Sequence, residues 1–187
     1  MRTPTAEELV ESIRPAGLLV ARFGAEEDEI AAYGRLERGA RVEIGSVTKL
    51  FTARLLTLLV DEGTVRLDEP ATACLGPGWR LGGHATLERL ACHRAGLPRL
   101  PRRAWRSVLR DGANPYRTLT VDDLRASLPP WLPRARWFRY SNFGAALLGH
   151  ALAARTGVSW AGLIADRITA PLNVDRTDPG WPRSWSM

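Results

Sequence analysis

Ser46 and Lys49 stand three residues apart in Ile44-Gly45-Ser46-Val47-Thr48-Lys49, and Lys49 is the only lysine among 26 Lys and Arg residues. That contrast has chemical content. Arginine stays protonated in proteins, whereas an amine in an apolar setting can lose its proton and act as a base. On a helix, residues three apart share a face and side chains lean toward the N-terminus, so Lys49 is expected to point back at Ser46. The amine could then take the serine proton, and the alkoxide could attack a carbonyl. The free N–H groups and dipole at a helix start favour negative charge there. The plainer reading makes Ser46 a helix cap and Lys49 a surface cation one turn on.

A second candidate group is Arg139-Tyr140-Ser141-Asn142. The Tyr140 phenol both donates and accepts, so it can relay a proton to a leaving group. Asn142, two residues on, can hydrogen-bond a substrate amide. Taken alone, the segment also reads as a helix cap supplied by Ser141 or Asn142.

These residues need elements to hold them. From Ser46 to Glu62 the chain reads as a long helix with Val47, Leu50, Phe51, Leu55, Leu56, Leu58, Leu59 and Val60, ended by Gly63. Its apolar residues cover most of the circumference, which predicts burial on several sides. A helix over 143–155 follows the tyrosine segment, with Leu147, Leu148, Ala151 and Leu152 as its stripe and Gly157 at its end. Upstream, residues 5–14 read as a short helix, and 17–22 and 29–36 as strands of an antiparallel hairpin about the polar stretch 24–28. Thr86 is expected to cap a helix over 87–93, Thr120 with Asp123 to form a capping box for 121–128, and Ser159 to cap 160–168. Residues 98–119 are Pro- and Arg-rich, with one amphipathic turn expected around Trp105, and Pro129, Pro130 and Pro133 oppose regular structure.

The 187 residues suit one domain whose core buries about 70% of the unfolded chain's surface. No apolar run reaches membrane-spanning length. The N-terminus, with Glu7, Glu8, Glu11 and Arg14, has no apolar signal region, so a cytoplasmic location is expected. Cys74 and Cys92 are read as small buried thiols. His84, His93 and His150 show no metal-ligand spacing with each other or with the cysteines, so no metal is expected. The net charge of +6 is concentrated around Arg99, Arg102, Arg103, Arg106 and Arg110 with Trp105, and around Arg134, Arg136 and Arg139 with Trp137. Such interleaving can bind anionic partners. No helix-turn-helix, zinc-finger or RNA-recognition signature accompanies it, so a solvated face and no nucleic-acid partner are expected.

Taken together, the motifs resemble the serine β-lactamase and penicillin-binding protein superfamily, in its class C-like branch of D-alanyl-D-alanine peptidases and esterases. The resemblance runs from about Gly17 to Thr177. It rests on Ile44–Lys49, on Leu59-Val60-Asp61-Glu62-Gly63 with Leu67-Asp68-Glu69-Pro70, on His93 with Gly96-Leu97-Pro98, on Tyr140-Ser141-Asn142 with Leu147-Leu148-Gly149, and on Pro171-Leu172-Asn173. It implies that Ser46 is the acylated nucleophile and Lys49 its proton acceptor, with Tyr140 sharing the base role and Asn142 binding the substrate amide. Which of Lys49 and Tyr140 is the base stays open. No cofactor is implied, and the partner would be a small molecule or peptide bearing an acyl group.

The implied fold is α+β, of the β-lactamase/transpeptidase type in truncated form: mainly helical, with a short N-terminal antiparallel hairpin and most of the central sheet missing. Residues 1–177 would form this incomplete domain and 178–187 an irregular tail. The family's His-Thr-Ser-Gly is here His93-Arg94-Ala95-Gly96, and Arg134-Ala135 replaces its Pro-Gly. The family's third motif, Lys/His-Thr/Ser-Gly, has no counterpart in these residues. That motif supplies one of two oxyanion donors, and losing one costs about 10²–10³ in rate. The readings in play are a serine hydrolase acylated at Ser46, a non-catalytic remnant or half-protein that self-associates or takes a complementing chain, and an Arg/Trp-rich module for an anionic partner.

Overall fold

The computed structural model describes residues 4–13, 16–23, 29–37, 39–104, 119–130, 132–134 and 137–174. The chain divides into two compact units, residues 1–43 and 44–187. The expected turn at 24–28, the segment around Trp105 and the tail 178–187 lie outside the described residues.

In the first unit, helix α1 (Ala6–Ile13) opens with a reciprocal cap: Glu8 N–H donates to Thr5 Oγ1 and Thr5 N–H to Glu8 Oε2. Strands β1 (Gly17–Arg22) and β2 (Glu29–Gly34) pair antiparallel in a two-stranded sheet, from Gly17 opposite Gly34 to Arg22 opposite Glu29. Their alternation works as a half-buried hairpin requires, with Ala31, Leu18 and Val20 packed with Ala6 of α1. An Arg22–Glu29 ion pair at 3.0 Å closes the far end. At the near end the chain leaves β2 through Gly34, at φ 72°, where a Cβ would lie 2.1 Å from the Ala16 carbonyl oxygen. No side chain fits there.

The second unit is helical. A 3₁₀ turn (Gly45–Val47) runs into α2 (Thr48–Asp61), followed by α3 (Ala71–Leu75), α4 (Leu87–Ala91), α5 (Val121–Ala126), α6 (Asn142–Thr156) and α7 (Trp160–Ile164), which passes into a π-helical turn (Ala165–Thr169). The expected caps are in place: Thr86 accepts from Arg89 N–H, Thr120 and Asp123 form the full capping box, and Ser159 accepts from Gly162 N–H. Helix α6 packs against α2, α3, α4 and α7. It can do so because Phe143, Ala146, Leu147, Leu148, Ala151 and Leu152 leave it apolar nearly all round. Leu55 and Leu59 of α2, Leu87 and Leu90 of α4, and Trp160 and Leu163 of α7 complete this core. Trp160 Nε1 donates to the buried Thr52 Oγ1 at 3.2 Å and ties α7 to α2 one turn beyond Lys49.

The structure corrects four expectations. Helix α2 begins at Thr48 rather than Ser46, because the chain turns through a 3₁₀ segment first. Nor is α2 buried on several sides: Thr52, Leu55, Leu56 and Leu59 face the core, while Val47 and Leu50 are 51% and 69% exposed. The apolar residues are there, but no described element of this unit covers that side. Helix α7 ends at Ile164, where the i→i+4 pattern gives way to the π turn. Of the two cysteines, both unpaired by disulfide, Cys74 is buried and Cys92 is exposed, since Cys92 sits at the cap where α4 unwinds. Among the described residues no helix is long and apolar enough to cross a membrane.

Candidate active site

The site grows from a sharp turn. Gly45 has φ 53°, a left-handed backbone that favours glycine, and it turns the chain after Ile44 into the 3₁₀ turn. Ser46 is the middle residue of that turn and is solvent-exposed. Neither the turn nor α2 has a side-chain cap, and Val47 occupies the cap position of α2. The reading of Ser46 as a mere helix cap is thereby excluded. Its hydroxyl is committed elsewhere.

That commitment is to the other two candidates. Lys49 Nζ donates to Ser46 Oγ at 3.1 Å, and Ser46 Oγ lies 2.6 Å from the Tyr140 hydroxyl, with either oxygen able to donate. Lys49 Nζ also sits 5.0 Å from the centroid of the Tyr140 ring. Three residues, one of them 94 positions from Ser46, thus meet at one oxygen. A hydroxyl bonded to an amine and to a phenol can pass its proton to whichever of the two is deprotonated.

Tyr140 is held by the loop after α4. Arg139 N–H donates to the His93 carbonyl at 2.9 Å, and Ser141 N–H to His93 Nδ1 at 3.2 Å. The Ser141 hydroxyl donates to the Pro98 carbonyl at 2.6 Å and accepts from Gly144 N–H at 2.8 Å, which caps α6. Asn142 is the first residue of α6. Its N–H donates to the Arg99 carbonyl at 2.9 Å, as does that of Phe143 at 3.3 Å. The serine of Tyr140-Ser141-Asn142 is therefore the helix cap, and the cap fixes where the tyrosine and the asparagine start.

Electrostatics follow from this packing. Partial burial opposes ionisation of Tyr140, but hydrogen bonds from Lys49 and Ser46 and the charges of Lys49 and Arg99 outweigh it, so the phenol titrates below its usual range. Arg99 lies 6.0 Å from the Tyr140 ring centroid. Burial, and then the charge of Lys49, hold His93 below the ordinary imidazole value. Among the described residues no group of three His, Cys, Asp or Glu could hold a metal ion.

Of the four residues expected at the site, the structure brings Ser46, Lys49 and Tyr140 together at one oxygen and places Asn142 two residues beyond Tyr140, at the start of α6. Sequence reasoning gave no role to His93 or Arg99, reading the latter as part of a solvated basic face. Their involvement depends on a loop-to-loop contact across nearly fifty residues, which no local pattern announces. Other arginines have structural partners: Arg103 pairs with Asp123 at 2.9 Å, and the Arg125 guanidinium lies over Trp79 at 5.1 Å.

A serine bonded to a lysine three residues on and to a tyrosine ahead of a buried helix defines a class of serine-hydrolase site. The chain belongs to the β-lactamase family, whose model matches residues 6–186, within the serine β-lactamase and penicillin-binding protein superfamily. It is 33% identical over 147 residues to the D-alanyl-D-alanine-carboxypeptidase/endopeptidase AmpH of Escherichia coli, covering 73% of this chain and 36% of that protein. Among solved structures it resembles a D-stereospecific amidohydrolase from Streptomyces, with a TM-score of 0.74 and 25% identity over 90% of this chain and 53% of the other. It also resembles an octameric penicillin-binding protein homologue from Pyrococcus abyssi, with a TM-score of 0.71 and 26% identity over 91% of this chain and 42% of the other. The chain thus spans between about a third and a half of the relatives it matches. The two-stranded sheet and predominant helices are this family's fold as represented by these residues.

Proposed function

We propose that the chain is a serine hydrolase that forms an acyl-enzyme on Ser46. The observation that carries this is the placement of Ser46 Oγ, exposed and bonded to both Lys49 Nζ and the Tyr140 hydroxyl. In the acylation step Ser46 Oγ bonds to the substrate carbonyl carbon as its proton passes to Lys49 or Tyr140. The same proton then goes to the departing amine or alcohol as the carbonyl–leaving-group bond breaks. Water later cleaves the serine ester by the reverse relay. Asn142 binds the amide of the substrate. The substrate class is a lactam, a D-alanyl-D-alanine-type peptide or an ester, supported by the carboxypeptidase and amidohydrolase named above.

The test is intact-mass spectrometry of the folded protein after incubation with a fluorophosphonate and, separately, a penicillin. The expected outcome is one adduct on Ser46, absent in Ser46→Ala and strongly slowed in Lys49→Arg. Folded protein that takes no adduct from either reagent would sink the proposal.

A second reading is a half-protein whose site is completed by another copy or a complementing chain. One observation favours it: Ile44, Val47 and Leu50 are exposed large apolar residues at the Ser46 end of α2. The reading predicts concentration-dependent association in sedimentation velocity. A monomer that melts cooperatively at every concentration counts against it.

A further inference from the structure

We propose that His93 is a positioning residue that sets the Tyr140 hydroxyl against Ser46, and that it does so only with a neutral imidazole. For its consequence in rate this rests on the function proposed above; its geometry stands independently.

Four consecutive residues engage His93. Phe138 meets its ring edge-on at 5.7 Å, and the Arg139 N–H reaches its carbonyl at 2.9 Å. The Tyr140 ring lies against it at 4.6 Å with a 39° tilt, and the Ser141 N–H donates to Nδ1 at 3.2 Å. His93 therefore grips the tyrosine segment by backbone and side chain at once. It can do so because its own backbone is left-handed, at φ 56°. That conformation is uncommon outside glycine and persists where surrounding contacts over-determine it. The grip spans both sides of Tyr140, so the phenol has little freedom to swing away from Ser46.

Donation into Nδ1 requires that nitrogen to be unprotonated, which places the ring proton on Nε2. Protonating Nδ1 would set a second N–H against that of Ser141 and break the contact. Burial disfavours a charged ring, and Lys49 from α2 adds positive charge nearby, so both reinforce the neutral form; Arg99 from the following loop stands over Tyr140.

The experiment uses the full chain with ¹³Cζ-labelled tyrosine, the Tyr140 signal being assigned by its loss in Tyr140→Phe. His93→Ala removes ring and acceptor. His93→Asn keeps a side-chain acceptor and tolerates a left-handed backbone. The expected result is that the Tyr140 titration moves in His93→Ala and returns toward wild type in His93→Asn. The rate of fluorophosphonate labelling should fall about 10- to 100-fold in the first, as loss of orientation predicts, and be largely recovered in the second. The Ser141 amide signal should move in the wild type as pH falls through the ordinary histidine range and below it, and stay still in His93→Asn. A Tyr140 titration unmoved in His93→Ala overturns the inference. If that variant does not fold, a Ser141 amide that responds to pH equally in wild type and His93→Asn overturns it instead. Absence of labelling in the wild type would overturn the nucleophile reading alone, since neither resonance measurement depends on it.

Discussion

At the scale of single residues, the chemistry turns on how three polar groups share one hydroxyl. The Tyr140 phenol is partly buried, which alone would hold its proton on. Lys49 and Ser46 donate toward it, and Lys49 and Arg99 place positive charge nearby, so its pKa falls below the ordinary 10.0. Lys49→Met removes a donor and a charge together, leaving burial less opposed. The phenol should then titrate higher than in the wild type. The chain has three tyrosines, so phenolate absorbance should show one early-titrating group that disappears in Tyr140→Phe and rises in Lys49→Met. Finding no early group would show that the cluster does not form in solution. Tyr140→Phe should also slow acylation of Ser46 by about 10²–10⁴, the usual contribution of a positioned proton-transfer group.

At the scale of elements, the cap of α6 does two jobs. The Ser141 hydroxyl accepts from Gly144 N–H and donates to the Pro98 carbonyl, so it starts the helix and anchors the tyrosine segment to the loop after α4. Ser141→Ala leaves a helix-end N–H and a loop carbonyl without those partners. It should cost about 1–2 kcal/mol in urea unfolding, a typical loss for a cap. Ser141→Thr, which keeps the hydroxyl, should cost less. The elements most legible in the sequence are those whose causes are local. Thr86, Thr120 and Ser159 each cap the helix expected of them because the acceptor and the N–H it serves lie three residues apart. Gly157 ends α6 in the left-handed conformation for the same short-range reason. Departures arise where distant packing decides. Apolar periodicity marks α2 as a core helix, but it could not tell that Thr52, Leu55, Leu56 and Leu59 would be covered and Leu50 not. The site divides in the same way. Ser46 and Lys49 are linked by helical spacing and can be read from one segment, whereas Tyr140 joined them through family resemblance. The grip of His93 on Ser141, across 48 positions, has no sequence signature and emerged only in three dimensions.

At the scale of the whole molecule, acid stability should depend on a histidine that takes no part in the site. His150 lies inside α6, the helix against which α2, α3, α4 and α7 pack, and it is 3% exposed. Burial lowers its pKa from 6.5 to about 4. It is therefore neutral in the folded protein near pH 7, and so is most of it in the unfolded chain, which leaves little difference between the two states there. Below pH 6.5 the unfolded chain binds a proton that the folded one refuses, so stability falls as pH drops toward 4 and the loss levels off below that. The shift corresponds to about 3 kcal/mol, a large share of the roughly 5–15 kcal/mol that holds a domain folded. His93, also lowered by burial, adds a smaller loss of the same sign. The lowered carboxylates Asp68 and Asp123 lose their contribution as pH falls through 3.8, and so act at the acid edge of this window and below it. Urea midpoints measured from pH 7 to pH 4 should thus decline steadily in the wild type. His150→Phe should flatten most of that decline, whatever its effect on stability at pH 7, because phenylalanine has no proton to gain. A decline equally steep in the variant would mean that another buried group carries the acid sensitivity of the helical core.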